Sequence, residues 1–241
     1  MSMYPQSGSQ KPWELEYARD DKSLSKFFNV VYAWMAVGLA VTAAVSYFVS
    51  SQPAIQNALQ SMGRGSTIVI FLAMFLIATS VQASALRINA NVATALFLLY
   101  AALMGVLISP IFYIYHMNTI GAAFLLTGGT FGVMSVYGLV TKRDLTGIGS
   151  FMVMAVWGLI IASVVNMFLA SNSLSWLITY GILIAFIALT AYQTQKLKVF
   201  AQQYGSDPSI APRIAIIGSL LLYIAFINMF ISILRIMGDR K

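Results

Sequence analysis

Residues 213–237 read RIAIIGSLLLYIAFINMFISILRIM, an apolar run with its two arginines at positions 213 and 235 and no acid. Crossing ~30 Å of hydrocarbon takes roughly 20 residues of helix, so this run is expected to span a membrane. Towards the N-terminus six more runs pass the same test, at 27–50, 65–86, 92–115, 118–140, 148–170 and 174–194. The expected fold is an all-α integral membrane protein, a seven-transmembrane helix bundle over residues 27–241 behind a polar segment of residues 1–26. Hydrophobic residues make up 59% of the 241-residue chain and charged ones 9%. Soluble domains carry roughly 25% charged residues, so lipid must solvate most of this surface.

Short links at 87–91, 116–117 and 171–173 make the helices they join antiparallel neighbours. The longer links are 51–64 and 195–212, the second carrying Gly205, Pro208 and Pro212. Residues 1–11, rich in Pro, Ser, Gln and Gly, read as a disordered tail. Residues 12–26 mix acids with bases and read as an amphipathic lead-in at the interface. No short apolar core with a small-residue cleavage site precedes the first span, so a secretory signal is not expected. On the side of the N-terminus lie Lys11, Arg19, Lys22, Lys26, Arg87, Lys142, Arg143, Lys196, Lys198 and Arg213. The other side has Arg64, Arg235, Arg240 and Lys241. Because basic loops stay in the cytoplasm, the N-terminus is expected inside and the C-terminus outside.

The acids are Glu14, Glu16, Asp20, Asp21, Asp144, Asp207 and Asp239, all in the tail, the links or the C-terminal end. An intramembrane acid is costly and persists mainly where it serves ion or proton chemistry, and no span here holds one. A membrane aspartyl protease therefore has no catalytic pair. A membrane serine protease needs a histidine, and the single His116 falls in a two-residue link. Span seven lacks the mid-membrane lysine of a retinal protein. With no cysteine, thiolate sites are excluded, and no phosphate loop or zinc pattern occurs. The reading is a non-enzyme without cofactor or metal. The net charge of +7 sits at helix ends, which suits anionic headgroups and not nucleic acid.

Within the spans, Gly121, Gly128, Gly129, Gly132 and Gly138 suggest close helix packing in span four, with a Gly128-xxx-Gly132 spacing. Asn166 and Gln82 are expected to hydrogen-bond to neighbouring helices. In span six Thr179, Phe186, Thr190, Gln193 and Leu197 form one stripe. In span seven Ala225, Asn228, Ser232 and Arg235 form another. Such stripes must face the bundle interior, as interhelical contacts or as the wall of a polar pathway. Arg87 at the end of span two either reaches the headgroups or turns inward towards Gln193.

The segment YGLVTKRDLTGIGSF at 137–151 resembles the signature joining spans four and five in the Bax inhibitor-1 family, especially its bacterial YccA-like branch. TAYQTQKLK at 190–198, LYIAFINMF at 222–230 and LRIMG at 234–238 extend the resemblance, which covers all seven spans. It implies a bundle with the last helix central, in a bacterial inner membrane. Calcium-leak members carry a hydrogen-bonded acid pair, one acid in each of the last two spans, as a pH sensor, with an arginine from span two beside it. Mapped by motif, those acids fall on Gln193 and Ala225, and the arginine on Arg87. Both acids are missing here. Two facing carboxylates share a proton and so titrate as a switch; Gln193 and Ala225 do not titrate.

Two functions follow as expectations. One is an ion-leak pathway, for calcium or another cation, without the family's acid switch; its candidate residues are Gln193, Ala225, Arg87, Asn228 and Ser232. The other is a non-conducting regulator that binds other membrane proteins, such as an ATP-dependent membrane protease, through the polar tail.

Overall fold

A computed structural model describes residues 12–61, 63–83, 89–204, 207 and 210–238. The elements, in chain order, are α1 Pro12–Ser51, α2 Pro53–Ser61, α3 Gly63–Ala83, α4 Ala90–Ile108, α5 Ile111–Ile114, α6 Met117–Val140, α7 Thr146–Leu169, α8 Asn172–Tyr204 and α9 Ala211–Met237. Proline sets several of these boundaries, since it lacks the N–H that continues a helix. Pro53 opens α2, and Pro110 separates α4 from the single turn of α5. Gly238 closes α9 in the left-handed region at φ 67°, where a residue without Cβ is unstrained.

Among the described residues, six helices are long and apolar enough to cross a bilayer: Ser23–Ser51, Ala90–Ile114, Met117–Val140, Thr146–Leu169, Asn172–Tyr204 and Ala211–Met237. The second expected run, at 65–86, overlaps α3, and its residues 84–86 lie outside the described residues. Two other expectations shift. The expected lead-in at 12–26 and the first span form one 40-residue helix. Likewise α8 runs past the expected end at Thr194 to Tyr204, so the polar QKLK segment is helical rather than part of a link.

The core forms around α9. Of its apolar window α9 has 78% buried inside the protein, against 6% for α7, and burial on that scale marks a helix surrounded by others. It packs against α1, α3, α4, α6 and α8, the central position that the family resemblance implies. Leu220, Leu222, Tyr223 and Met229 are fully buried, and Phe124 and Phe131 of α6 meet Phe226 edge-on.

Lipid gives no hydrophobic drive to associate helices, so close approach and hydrogen bonds must hold them. Ser219 of α9 donates to the Val31 carbonyl of α1 at 2.8 Å. Thr42 of α1 lies 2.6 Å from the Tyr223 hydroxyl and 2.9 Å from the Ala101 carbonyl of α4, joining three helices at one point. The glycine contacts differ in part from the expected ones. A Cβ added at Gly121, Gly128, Gly129 or Gly132 meets nothing within 4 Å, so among the described residues the Gly128-xxx-Gly132 face packs on no other helix. Of the five expected glycines Gly138 makes a helix contact, where a Cβ would lie 2.3 Å from the Ala191 carbonyl oxygen of α8, and Gly105, outside that set, makes another, 2.8 Å from the Thr42 carbonyl oxygen.

These contacts separate two substitutions of the same kind. Gly138→Leu pushes α6 off the α8 backbone and is expected to lower stability by about 1–3 kcal/mol. Gly128→Leu projects into open space and is expected to be nearly neutral. Denaturant unfolding of both variants in detergent measures the difference.

Candidate functional site

The C-terminal half of α8 holds the α6–α7 turn. Gln195 Oε1 accepts the Leu145 N–H at 2.9 Å while its Nε2 donates to the Arg143 carbonyl at 2.7 Å. One turn on, Lys198 Nζ donates to the Leu139 carbonyl at 2.7 Å, satisfying one of the carbonyls that the end of α6 leaves open. Gly149 brings α7 onto the Tyr192 ring, where a Cβ would lie 2.3 Å away. Asp144 accepts the Thr146 N–H at 2.9 Å, and hydrogen bonds from Thr146 hold its carboxyl below the ordinary range.

Below this clamp, hydroxyls link α1, α6 and α8. Tyr32 hydrogen-bonds to Ser135, which lies 3.1 Å from Thr194 Oγ1; Thr194 in turn donates to the Thr190 carbonyl at 2.8 Å. Ser135, Thr190 and Thr194 are buried. A chain of this kind satisfies each hydroxyl where water is absent. Two of the four segments quoted for the family resemblance thus meet in space, 137–151 clamped by 190–198, and Leu197 of the second packs on Gly218 of α9.

The Leu197–Gly218 contact sets the register of antiparallel α8 and α9. Gln193 and Ala225 then lie within about one helical turn of the same depth. Ala225 is fully buried, and Gln193 is partly buried. Among the described residues, two buried side-chain oxygens have no hydrogen-bond partner, Ser46 Oγ and Gln193 Oε1. Leaving such an atom unpaired costs about 1–3 kcal/mol, so Gln193 Oε1 marks a polar locus between the last two helices.

The other candidates behave differently. Asn228 Nδ2 donates to the Ile224 carbonyl and Ser232 Oγ to the Asn228 carbonyl, both at 2.8 Å, so each of these bonds stays within α9. Thr179 and Thr190 also bond to their own helix, and Arg235 is exposed. Arg87 and the side chain of Gln82 lie outside the described residues. Asn166 makes the expected interhelical bond, to Ser175 of α8 at 2.7 Å. His116 is exposed ahead of α6. Among the described residues no three His, Asp or Glu side chains gather as a metal site. Tyr32, Thr42, Ser135 and Ser219 were not legible as contacts, because a lone hydroxyl in an apolar run gives no periodic signal. Gln195 and Lys198 lay inside a quoted motif but were assigned to a link.

A family model for "Inhibitor of apoptosis-promoting Bax1" matches residues 24–241. Inner membrane protein YbhL of Escherichia coli K12 is 41% identical over 219 residues, which cover 90% of this chain and 93% of that protein. An uncharacterized protein of Borreliella burgdorferi is 40% identical over 217 residues, covering 90% and 93%. An uncharacterized membrane protein of Streptococcus pyogenes serotype M1 is 34% identical over 223 residues, covering 92% and 96%. The chain belongs to the Bax inhibitor-1 family. The named relative is YbhL and not YccA, so the resemblance holds for the family rather than for a YccA-like branch.

Replacing Gln195 by Leu removes both bonds to the turn and leaves the Leu145 N–H unpaired. The expected result is faster trypsin cleavage after Lys142 and Arg143 in native protein, by about fivefold for about 1 kcal/mol of lost holding energy. Unchanged cleavage rates contradict the clamp.

Proposed function

We propose that this chain is a multi-pass inner-membrane bundle of seven spans, α3 being the second, with a closed cation pathway between α8 and α9 that lacks a pH switch. The observation that carries this reading is the unpartnered carbonyl oxygen of Gln193 at the depth of Ala225. It is the kind of neutral oxygen that a cation or a water meets in a pathway. Inner-membrane placement rests on the similarity to YbhL, and the cytoplasmic N-terminus rests on the basic residues of the N-terminal side. Amide and carbonyl oxygens bind calcium more weakly than carboxylates do, so any site here favours passage over retention. No catalytic step is assigned.

The pH argument follows from the residues at the locus. Gln193 and Ala225 carry no proton between pH 6 and pH 8. Asp144, in the adjoining turn, has a depressed pKa, so its bond to Thr146 is present above the ordinary carboxylate range and is lost only as pH falls through that depressed value.

A second reading has its own observation in favour. The interior around Ala225 is filled by Leu222, Tyr223 and Met229, and two open depressions lie elsewhere, between α7 and α8 and on the outer face of α6. Such close filling suits a non-conducting regulator that engages a membrane protein, with residues 1–26 as the contact.

Calcium flux into dye-loaded liposomes, at pH 6 and pH 8, separates the readings. The pathway reading expects slow flux that is equal at both values. It also expects the double variant Gln193→Asp with Ala225→Asp to gain at least several-fold pH dependence. Silence of both proteins, with loss of a membrane-protein partner on deleting residues 2–11, supports the regulator and rejects the pathway.

A further inference from the structure

Antiparallel α7 and α8 meet along one straight seam, with Gly149 against Tyr192 and Leu159 against Gly181. On α8, Gly181, Ala185, Tyr192 and Lys196 recur at helical spacing, so one stripe faces α7 along the seam. Where small residues oppose each other the seam opens into an apolar groove. Ala155, Gly158 and Leu159 of α7 line it with Gly181, Ile184 and Ala185 of α8. A Cβ on Gly158 meets nothing within 4 Å.

The seam ends at the α6–α7 turn, and there its chemistry reverses. Lys196 Nζ stands 6.0 Å from the centre of the Tyr192 ring and 5.9 Å from that of Phe200, held over the aromatic end of the stripe. Its neighbour Gln195 grips the backbone of Arg143, which sets the exposed Lys142 and Arg143 at the same level. The acid of the turn, Asp144, directs its carboxylate to the Thr146 N–H.

We propose that this seam binds one anionic phospholipid, with its phosphate among Lys142, Arg143 and Lys196 and one acyl chain in the α7–α8 groove. Charge complementarity selects the headgroup. The held backbone of the turn and the helix α8 keep the attachment points of these three cations together, so their charges add at one place on the surface. The groove selects a lipid over a soluble phosphate, since only a lipid supplies a chain long enough to reach past the Gly149–Tyr192 contact into the apolar slot further along the same seam. A zwitterionic lipid fills the groove equally well but gains little from the cluster.

The test is native mass spectrometry of the full chain released from vesicles of phosphatidylglycerol and phosphatidylcholine in equal parts. The native protein is expected to retain phosphatidylglycerol in preference to phosphatidylcholine, a comparison that needs no variant. Each basic side chain near an anionic group contributes roughly fivefold, so the triple variant K142Q/R143Q/K196Q is expected to lose about a hundredfold in retention. Gly158→Leu projects into the groove, where a Cβ meets nothing within 4 Å, and is expected to weaken retention while the basic cluster stays intact. Equal retention of the two lipids overturns the proposal. So does unchanged retention in the triple variant, and insensitivity to Gly158→Leu reduces the site to surface charge and overturns the groove.

Discussion

The burial of α9 on every side is the constraint on which the rest of the molecule depends. A helix surrounded by others in lipid cannot turn a polar face to water, so each polar group on it must bond within the protein. Asn228 and Ser232 do so within their own helix, and Ser219 and Tyr223 do so to α1. The bonds to α1 fix its rotation and depth against α9, and Thr42 carries that register on to α4. The helices around α9 are thereby placed by a few hydroxyls rather than by large polar networks. The outer surface of α7, with most of its residues open to lipid, is free to vary in a way that α9 is not.

A second constraint acts at one end of the bundle. The extension of α8 past the bilayer holds the α6–α7 turn through Gln195 and Lys198, and glycines at 138 and 149 let the three helices close up there. The most recognisable segment of the sequence, 137–151, is therefore conspicuous for a mechanical reason. It is the strip that α8 grips. That rigid turn also holds the proposed headgroup site at the end of the α7–α8 seam, so structure and lipid chemistry share one piece of chain.

The sequence displayed the spans well, because apolarity over twenty residues is a strong signal and the short links leave little freedom. It displayed the site less well. The glycines of span four share a spacing that suggests packing, yet only Gly138 touches another helix; spacing on one helix does not reveal which face has a neighbour. The polar stripe at Asn228 and Ser232 is real, but both side chains bond to their own backbone, a choice that pattern alone does not disclose. The QKLK segment resembles a link by composition and is helix because its glutamine and second lysine have partners on the adjoining turn. Positions 193 and 225 fall on the stripes of spans six and seven, the family resemblance pairs them, and the structure adds the unpaired oxygen of Gln193.

Absence of a titrating group between α8 and α9 is the central claim, and it is open to direct measurement. The chain has no cysteine, so spin labels placed at exposed Val30 of α1 and Val199 of α8 report the spacing of α8 from the α1–α9 pair without removing native residues. Electron-electron distance measurement in lipid at pH 6 and pH 8 is predicted to give one superimposable distribution. A shift of several ångströms, or a second population appearing at one pH, contradicts the account and locates a switch that Gln193 and Ala225 do not supply.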